Sequence, residues 1–252
     1  MTRVLAVANQ KGGVAKTTTT HSLGVALAEL GERVLLVDLD PQACLTYSVG
    51  IDPDTLEGSL HDVLAGRTDA ADVLTKAGDL SVLPATIDLA GAEVHLMSKT
   101  GREHVLSRAL RPLVGDYDTV FIDCPPSLGI LTINGLTAAH QVIIPLLCET
   151  LGQRGVGQLL ETIDDVRSFT NAKLTVRGLV ATMFDSRTRH GREVLESLTE
   201  SYGIEVLDPP VPKSVRFAEA PGRGRSILEH APRSAGAEAY RTIARTLHQE
   251  LR

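Results

Sequence analysis

Val, Ile, Leu and Ala gather in short runs that are apolar at consecutive positions rather than alternate ones, at 4–8, 34–37, 80–83, 120–122, 142–144 and 179–181. Strands apolar on both sides belong inside a parallel sheet covered by helices. Between them, apolar positions recur at spacings of three and four over 17–30, 102–113, 155–169, 189–202 and 236–251, the spacing of a helix with one buried side. In the first of these, Leu23, Leu27 and Leu30 form the stripe and Gly31 supplies the stop. Strands and helices in alternation predict an α/β fold, a doubly wound, mostly parallel sheet flanked by helices. Residues 52–71 read as a loop with a short helix over 60–64. Residues 208–225, with Pro209, Pro210, Pro212, Pro221, Gly222 and Gly224, read as a long irregular connection, a kind of segment that often carries function.

Composition narrows the class. The 252 residues contain no Ser-, Gly- or Pro-rich linker and no charge block, so one domain over 1–252 is expected. No apolar run approaches the roughly 20 residues of a membrane span. The N-terminus passes directly into the first apolar run rather than into a signal peptide. A cytoplasmic protein without a stable membrane anchor is the expectation. Cys44, Cys124 and Cys148 are odd in number and far apart, a pattern of packed thiols rather than of disulfides or zinc ligands. With a net charge of −6, any affinity for nucleic acid must come from a local basic patch.

The chemistry begins where the first strand ends. The segment Lys11-Gly12-Gly13-Val14-Ala15-Lys16-Thr17-Thr18 joins that strand to the first helix. Backbone N–H groups in such a loop converge with the helix N-terminus on one point, and glycines let a phosphate approach closely. Lys16 is placed to reach the β- and γ-phosphates of ATP, and the Thr17 hydroxyl to ligate Mg²⁺. The strict P-loop pattern is not met, because Gln10 and Ala15 stand at its two glycine positions. Two more strand runs end in carboxylates, at Asp38-Leu39-Asp40-Pro41-Gln42 and at Asp123-Cys124-Pro125-Pro126-Ser127. Strand C-termini form the ligand-binding edge of an α/β sheet, and Asp123 has the position of an aspartate that holds Mg²⁺ directly or through water.

These three motifs together resemble the deviant Walker A ATPases, specifically the ParA/Soj partition branch. The stretches 83–93, 184–189 and 215–221 agree, so the resemblance covers nearly the whole chain, in its short form without an added helix-turn-helix segment. It implies a P-loop ATPase whose two ATP-bound copies form a sandwich homodimer. Lys11 matches the signature lysine that reaches the partner's phosphates, and Asp40 matches the carboxylate that positions the attacking water. Asp38 is the residue expected to support the loop and the Mg²⁺ shell. Pro212 and Ser214 match the stretch facing adenine, and Met183 is a further candidate contact. Arg187 and Arg216 match the arginines that bind double-stranded DNA without sequence preference, with Lys213, Arg189, Arg223 and Arg225 available to extend the patch. A ParB-like activator protein and association with the nucleoid are implied as well.

The sequence departs from the family at Ala15, at Ala43-Cys44 where Gly-Asn is usual, and at 150–154 where an aromatic-rich continuation is usual. Two other readings therefore stay open. One is an orphan paralogue regulating replication initiation or a condensin-type complex. The other is a MinD-like membrane-cycling ATPase, which requires an amphipathic C-terminal helix with basic and bulky apolar sides. On 237–252 one side carries only Tyr240, Ile243, Leu247 and Leu251, which suits packing on the domain better.

Overall fold

The computed structural model describes residues 2–148, 150–185 and 189–250. Seven strands form one sheet in the order β3-β4-β2-β5-β1-β6-β7. They are β1 (Arg3–Val7), β2 (Val34–Asp38), β3 (Thr75–Ala77), β4 (Leu80–Leu83), β5 (Thr119–Asp123), β6 (Gln141–Leu147) and β7 (Thr175–Thr182). All neighbours are parallel except β3, which pairs antiparallel with β4 at one edge. The doubly wound α/β expectation therefore holds, and β3 is the strand that apolar runs do not reveal.

Every residue of β1, β2 and β5 is buried, as two-sided cover requires. Successive residues of β1 divide between two cores. Val4 and Ala6 face the layer built from α3 (Leu60–Ala65), α4 (Leu89–Met97), α5 (Val105–Leu110), α6 (Ile130–Ala138), α7 (Thr150–Phe169) and α8 (Arg189–Tyr202). Leu5 and Val7 face the layer built from α1 (Lys16–Glu29), α2 (Cys44–Ser48), α10 (Ile227–His230) and α11 (Ala235–Gln249). The four-residue α9 (Arg216–Glu219) lies on the irregular stretch between them in sequence.

Helix boundaries differ from the sequence expectation in three places. The helix expected over 102–113 divides into a 3₁₀ turn at Arg102–His104 and α5. Helix α7 begins at Thr150, five residues earlier than expected. Helices α2, α4, α6, α9 and α10 were not signalled. In α6, Ile130, Leu131, Thr132, Asn134, Gly135, Leu136 and Thr137 are all buried, so no polar side marks its period.

The stop after α1 is as read: Gly31 (φ 87°) donates to Ala28 O and Glu32 to Leu27 O, a Schellman closure that needs the left-handed residue. Helix α11 packs along α1, with Thr19 Oγ1 2.9 Å from the Tyr240 hydroxyl and Arg241 donating to both carboxylate oxygens of Glu29. No described helix is long and apolar enough to cross a membrane.

Register positions the site. Asp38 at the end of β2 lies directly opposite Asp123 at the end of β5, and Val7 of β1 opposes Asp123 from the other side. Three strand ends thus bring the loop after β1 and two carboxylate motifs to one point of the sheet.

Candidate nucleotide site

The loop after β1 is held from below by two polar anchors. Asn9 Nδ2 donates to Pro145 O at 2.8 Å while its Oδ1 accepts from the Lys11 N–H, and Thr182 Oγ1 lies within hydrogen-bond distance of both Val14 O and Leu146 O. Above these anchors the backbone is open. A Cβ built on Gly12 or Gly13 meets no atom within 4 Å, and Gly13 has φ 72°. Helix α1 has neither a side-chain cap nor an acidic residue in its first turn, so its first N–H groups are left for an anion. The ammonium of Lys16 folds back to Lys11 O at 3.3 Å, and burial lowers its pKa, opposed by Asp123, Cys124 and Asp40.

Around this cradle the carboxylates outnumber the cations that act on them. Asp123 is fully buried, accepting from Thr17 Oγ1 at 2.7 Å and from Thr20 Oγ1 at 3.2 Å. Burial, with the neighbouring Asp38 adding to it, pushes Asp123 up to about 8. Asp38, also buried, is pushed up to about 6 by burial, although the Thr46 N–H and hydroxyl and the Asp40 N–H all donate to it. Asp40 accepts from the Gln42 N–H at 2.9 Å and is 9% exposed. Lys16 is the basic residue whose charge acts on Asp123. An anionic pocket of oxygen donors that includes the Thr17 hydroxyl fits a hard divalent cation such as Mg²⁺, which takes one or two carboxylates together with phosphate oxygens.

The cradle opens into a cavity of about 1200 Å³, walled by Gly12, Gly13, Ala15, Lys16, Thr17 and Thr18 on one side and by Met183, Lys213, Ser214, Val215 and Phe217 on another. The nucleotide-contact residues named from sequence divide accordingly. Val14 is buried in the core and Pro212 pairs with Phe184 in a β-bridge, so neither side chain joins the cavity walls. Lys11 meets the cradle through its carbonyl. Arg216 stands exposed on α9, 3.7 Å from Glu219. Arg187 lies outside the described residues.

Sequence reading missed a conformational signature here. The three described non-glycine residues with positive φ are Ala15 (67°), Ala43 (51°) and Met183 (48°), and all three line this cavity. Ala15 and Ala43 each stand immediately before a helix, α1 and α2, where a glycine is cheapest. Strain gathered at one cavity is a mark of a working site.

Comparison with known proteins agrees with this geometry. A family described as an AAA domain matches residues 2–176. The sporulation initiation inhibitor protein Soj of Bacillus subtilis is 44% identical over 247 residues, which span 97% of this chain and 98% of that protein. The chromosome partitioning protein ParA of Myxococcus xanthus is 42% identical, over 97% of this chain and 87% of its own length. The chain belongs to the ParA/Soj family of partitioning ATPases. A solved structure described as cobyrinic acid a,c-diamide synthase of Mycobacterium smegmatis, with bound ADP and magnesium, is 54% identical. It superposes with a TM-score of 0.89, over 99% of this chain and 95% of that one.

Proposed function

We propose that this family member is a nucleotide-gated DNA-binding ATPase. ATP with Mg²⁺ occupies the cradle, two ATP-loaded copies close into a sandwich homodimer, and the dimer grips double-stranded DNA through Arg187, Arg216 and neighbouring cations. Hydrolysis, stimulated by a ParB-like partner, releases the DNA and drives a partition cycle on the nucleoid in the cytoplasm.

The observation that carries this reading is the double use of one segment. Residues Lys213, Ser214, Val215, Phe217, Ala218 and Arg225 wall the nucleotide cavity, and the same stretch displays Arg216 to solvent. A change inside the cavity therefore acts directly on the segment that would meet phosphate.

Within the cradle, the α1 N-terminus and the glycine backbone bind the phosphates, Lys16 extends from Lys11 O to neutralise the β- and γ-oxygens, and Lys11 serves the partner copy. Asp40, at the cavity wall and held by the Gln42 N–H, orients the attacking water. Magnesium, when bound through Thr17 and Asp123, offsets charge on the phosphates. Asp38, braced by Thr46, keeps the loop before α2 in place.

Helix α11 offers no side for a membrane surface, since Ala237, Tyr240, Ile243, Ala244 and Leu247 are buried in the core.

The test is filter binding of unrelated DNA duplexes at several salt concentrations, with ATP, with ADP and without nucleotide. Tight binding only with ATP is expected, indifferent to sequence and weakening by about 0.9 log units per phosphate contact for each decade of salt. Arg216→Glu is expected to remove it while ATP-driven dimerisation persists. Equal binding in ATP and ADP overturns the gate.

A further inference from the structure

Helix α9 is a single turn, and one turn of helix does not hold its place alone. Every residue from Lys213 to Glu219 is exposed except Ser214 and Phe217, which are half-buried. Glu219 ties the turn sideways to His230, its carboxylate 3.0 Å from Nε2. The large apolar anchor of α9 is therefore Phe217, the residue next to Arg216. Its ring meets Tyr240 of α11 edge to face, with centroids 6.2 Å apart and planes at 82°. The tip of the ring fills the space beside Gly236, where an added Cβ would stand 2.6 Å from Phe217 Cζ. Alanine is the better helix former, so the glycine at this place answers to the ring rather than to the helix.

Tyr240 in turn is tied to the cradle. Its side chain is wholly buried, and its hydroxyl lies 2.9 Å from Oγ1 of the equally buried Thr19. Thr19 closes the first turn of α1, its N–H donating to Ala15 O at 2.9 Å. Contacts thus run unbroken from the left-handed residue of the phosphate loop, through Thr19, Tyr240 and Phe217, to the turn that displays Arg216. Tyr240 and Phe217 also wall the cavity. Phe217 rests one side on α11 and borders the cavity with the rest, so a ligand that fills the cavity covers more of its ring, a favourable burial.

We infer that Phe217 and Tyr240 are the positioning residues through which an occupied nucleotide site orders α9 and sets Arg216, with Gly236 as the seat of the ring. The inference rests on the ATP and DNA reading proposed above and names the side chains that act as its gate. A seated α9 touches the ligand through Phe217 and an unseated one does not, which is the differential contact that a population shift requires. By linkage, the factor by which ATP tightens DNA equals the factor by which DNA tightens ATP.

The test follows amide hydrogen exchange over 217–220, with ATP and Mg²⁺ and without nucleotide, together with filter binding of a DNA duplex in the same two conditions. It uses the full chain as wild type, Gly236→Ala and Tyr240→Phe. In the wild type ATP is expected to slow exchange over 217–220 and to tighten DNA, each by about tenfold or more. Gly236→Ala pushes the ring off its seat from outside the cavity. It should still bind ATP, with both factors falling towards one. Simple loosening of α9 would instead speed exchange in both conditions and leave their ratio in place. Tyr240→Phe keeps the ring and cuts the bond to Thr19, and should lower both factors about threefold, the size of one hydrogen bond. Wild-type exchange indifferent to ATP, or an undiminished effect of ATP on exchange in Gly236→Ala, overturns the inference. If Gly236→Ala fails to fold, an undiminished effect in Tyr240→Phe overturns it instead. A wild type that binds ATP but no DNA overturns the DNA reading, and the exchange result then decides the inference alone. A wild type that binds no ATP overturns both.

Discussion

The two ends of the central sheet treat charge in opposite ways. At the lower end, where the strands begin, the buried guanidinium of Arg3 donates to Thr119 Oγ1 and to Leu247 O and stands 3.6 Å from Glu32. Glu32 also accepts from Thr119 and pairs with His248 at 2.7 Å. Arg177, at the start of β7, bridges Glu205 and Glu250. At the upper end, Asp38, Asp40 and Asp123 crowd together, and Lys16 is the ammonium set among them. Compensated charge at one end ties α11 to the sheet. At the other end burial raises Asp123 and Asp38 with little cationic charge to oppose it, a cost that a bound divalent cation would offset.

The sharpest way to break this contrast is at the lower end. Glu32→Ala leaves the buried Arg3 without its carboxylate and is expected to cost about 3–5 kcal/mol in denaturant unfolding. Nucleotide affinity of the folded fraction should be unchanged. A loss no larger than that of a surface pair would show that the lower end is not where the stability resides.

The upper end should respond with the other sign. Asp123→Asn removes a carboxylate that must be desolvated on folding, while keeping an oxygen for Thr17. The nucleotide-free protein is expected to gain roughly 2 kcal/mol in the same experiment and to lose ATP hydrolysis. Destabilisation would mean that Asp123 is already compensated within the chain.

Smaller effects sharpen the picture. Ala15→Gly relieves a left-handed backbone at the start of α1 and should stabilise by about 1 kcal/mol, a rise in Tm of roughly 2–4 °C. Ala43→Gly should do the same independently. Calorimetry on the two single variants and the double reads both. At the lower rim, the exposed Arg33–Asp118 pair at 3.0 Å is solvated, and Arg33→Ala should leave Tm within about one degree of wild type.

Much of this was legible in the sequence because burial on both sides writes itself as consecutive apolar residues. Six strands were found that way, and with them the edge at which Asp38 and Asp123 meet. Strand β3 was not, since Thr75-Lys76-Ala77 is a half-exposed edge segment with a single apolar residue. Helix α6 failed for the opposite reason, being buried nearly all round. At the site, residue types announced the chemistry of Lys16, Thr17 and Asp123, whose meeting across 106 positions follows from strand order. Ala15 and Ala43 read only as departures from the family's usual residues, whereas their cost lies in a backbone angle that no letter records. The pairing of Phe217 with Tyr240 depends on how α9 leans on α11, and spacing along the chain carries no trace of it.

The short antiparallel strand β3 has a consequence for assembly. It ends the sheet after three residues, one of them Lys76, whose ammonium is turned onto Ser81. Past the other border, Val206 and Pro212 run beside β7 as isolated bridges to Leu179 and to Phe184. Neither border offers a long bare ladder for a neighbouring chain to continue. Copies at high concentration therefore carry little hazard of cross-β polymerisation through the described borders of the sheet.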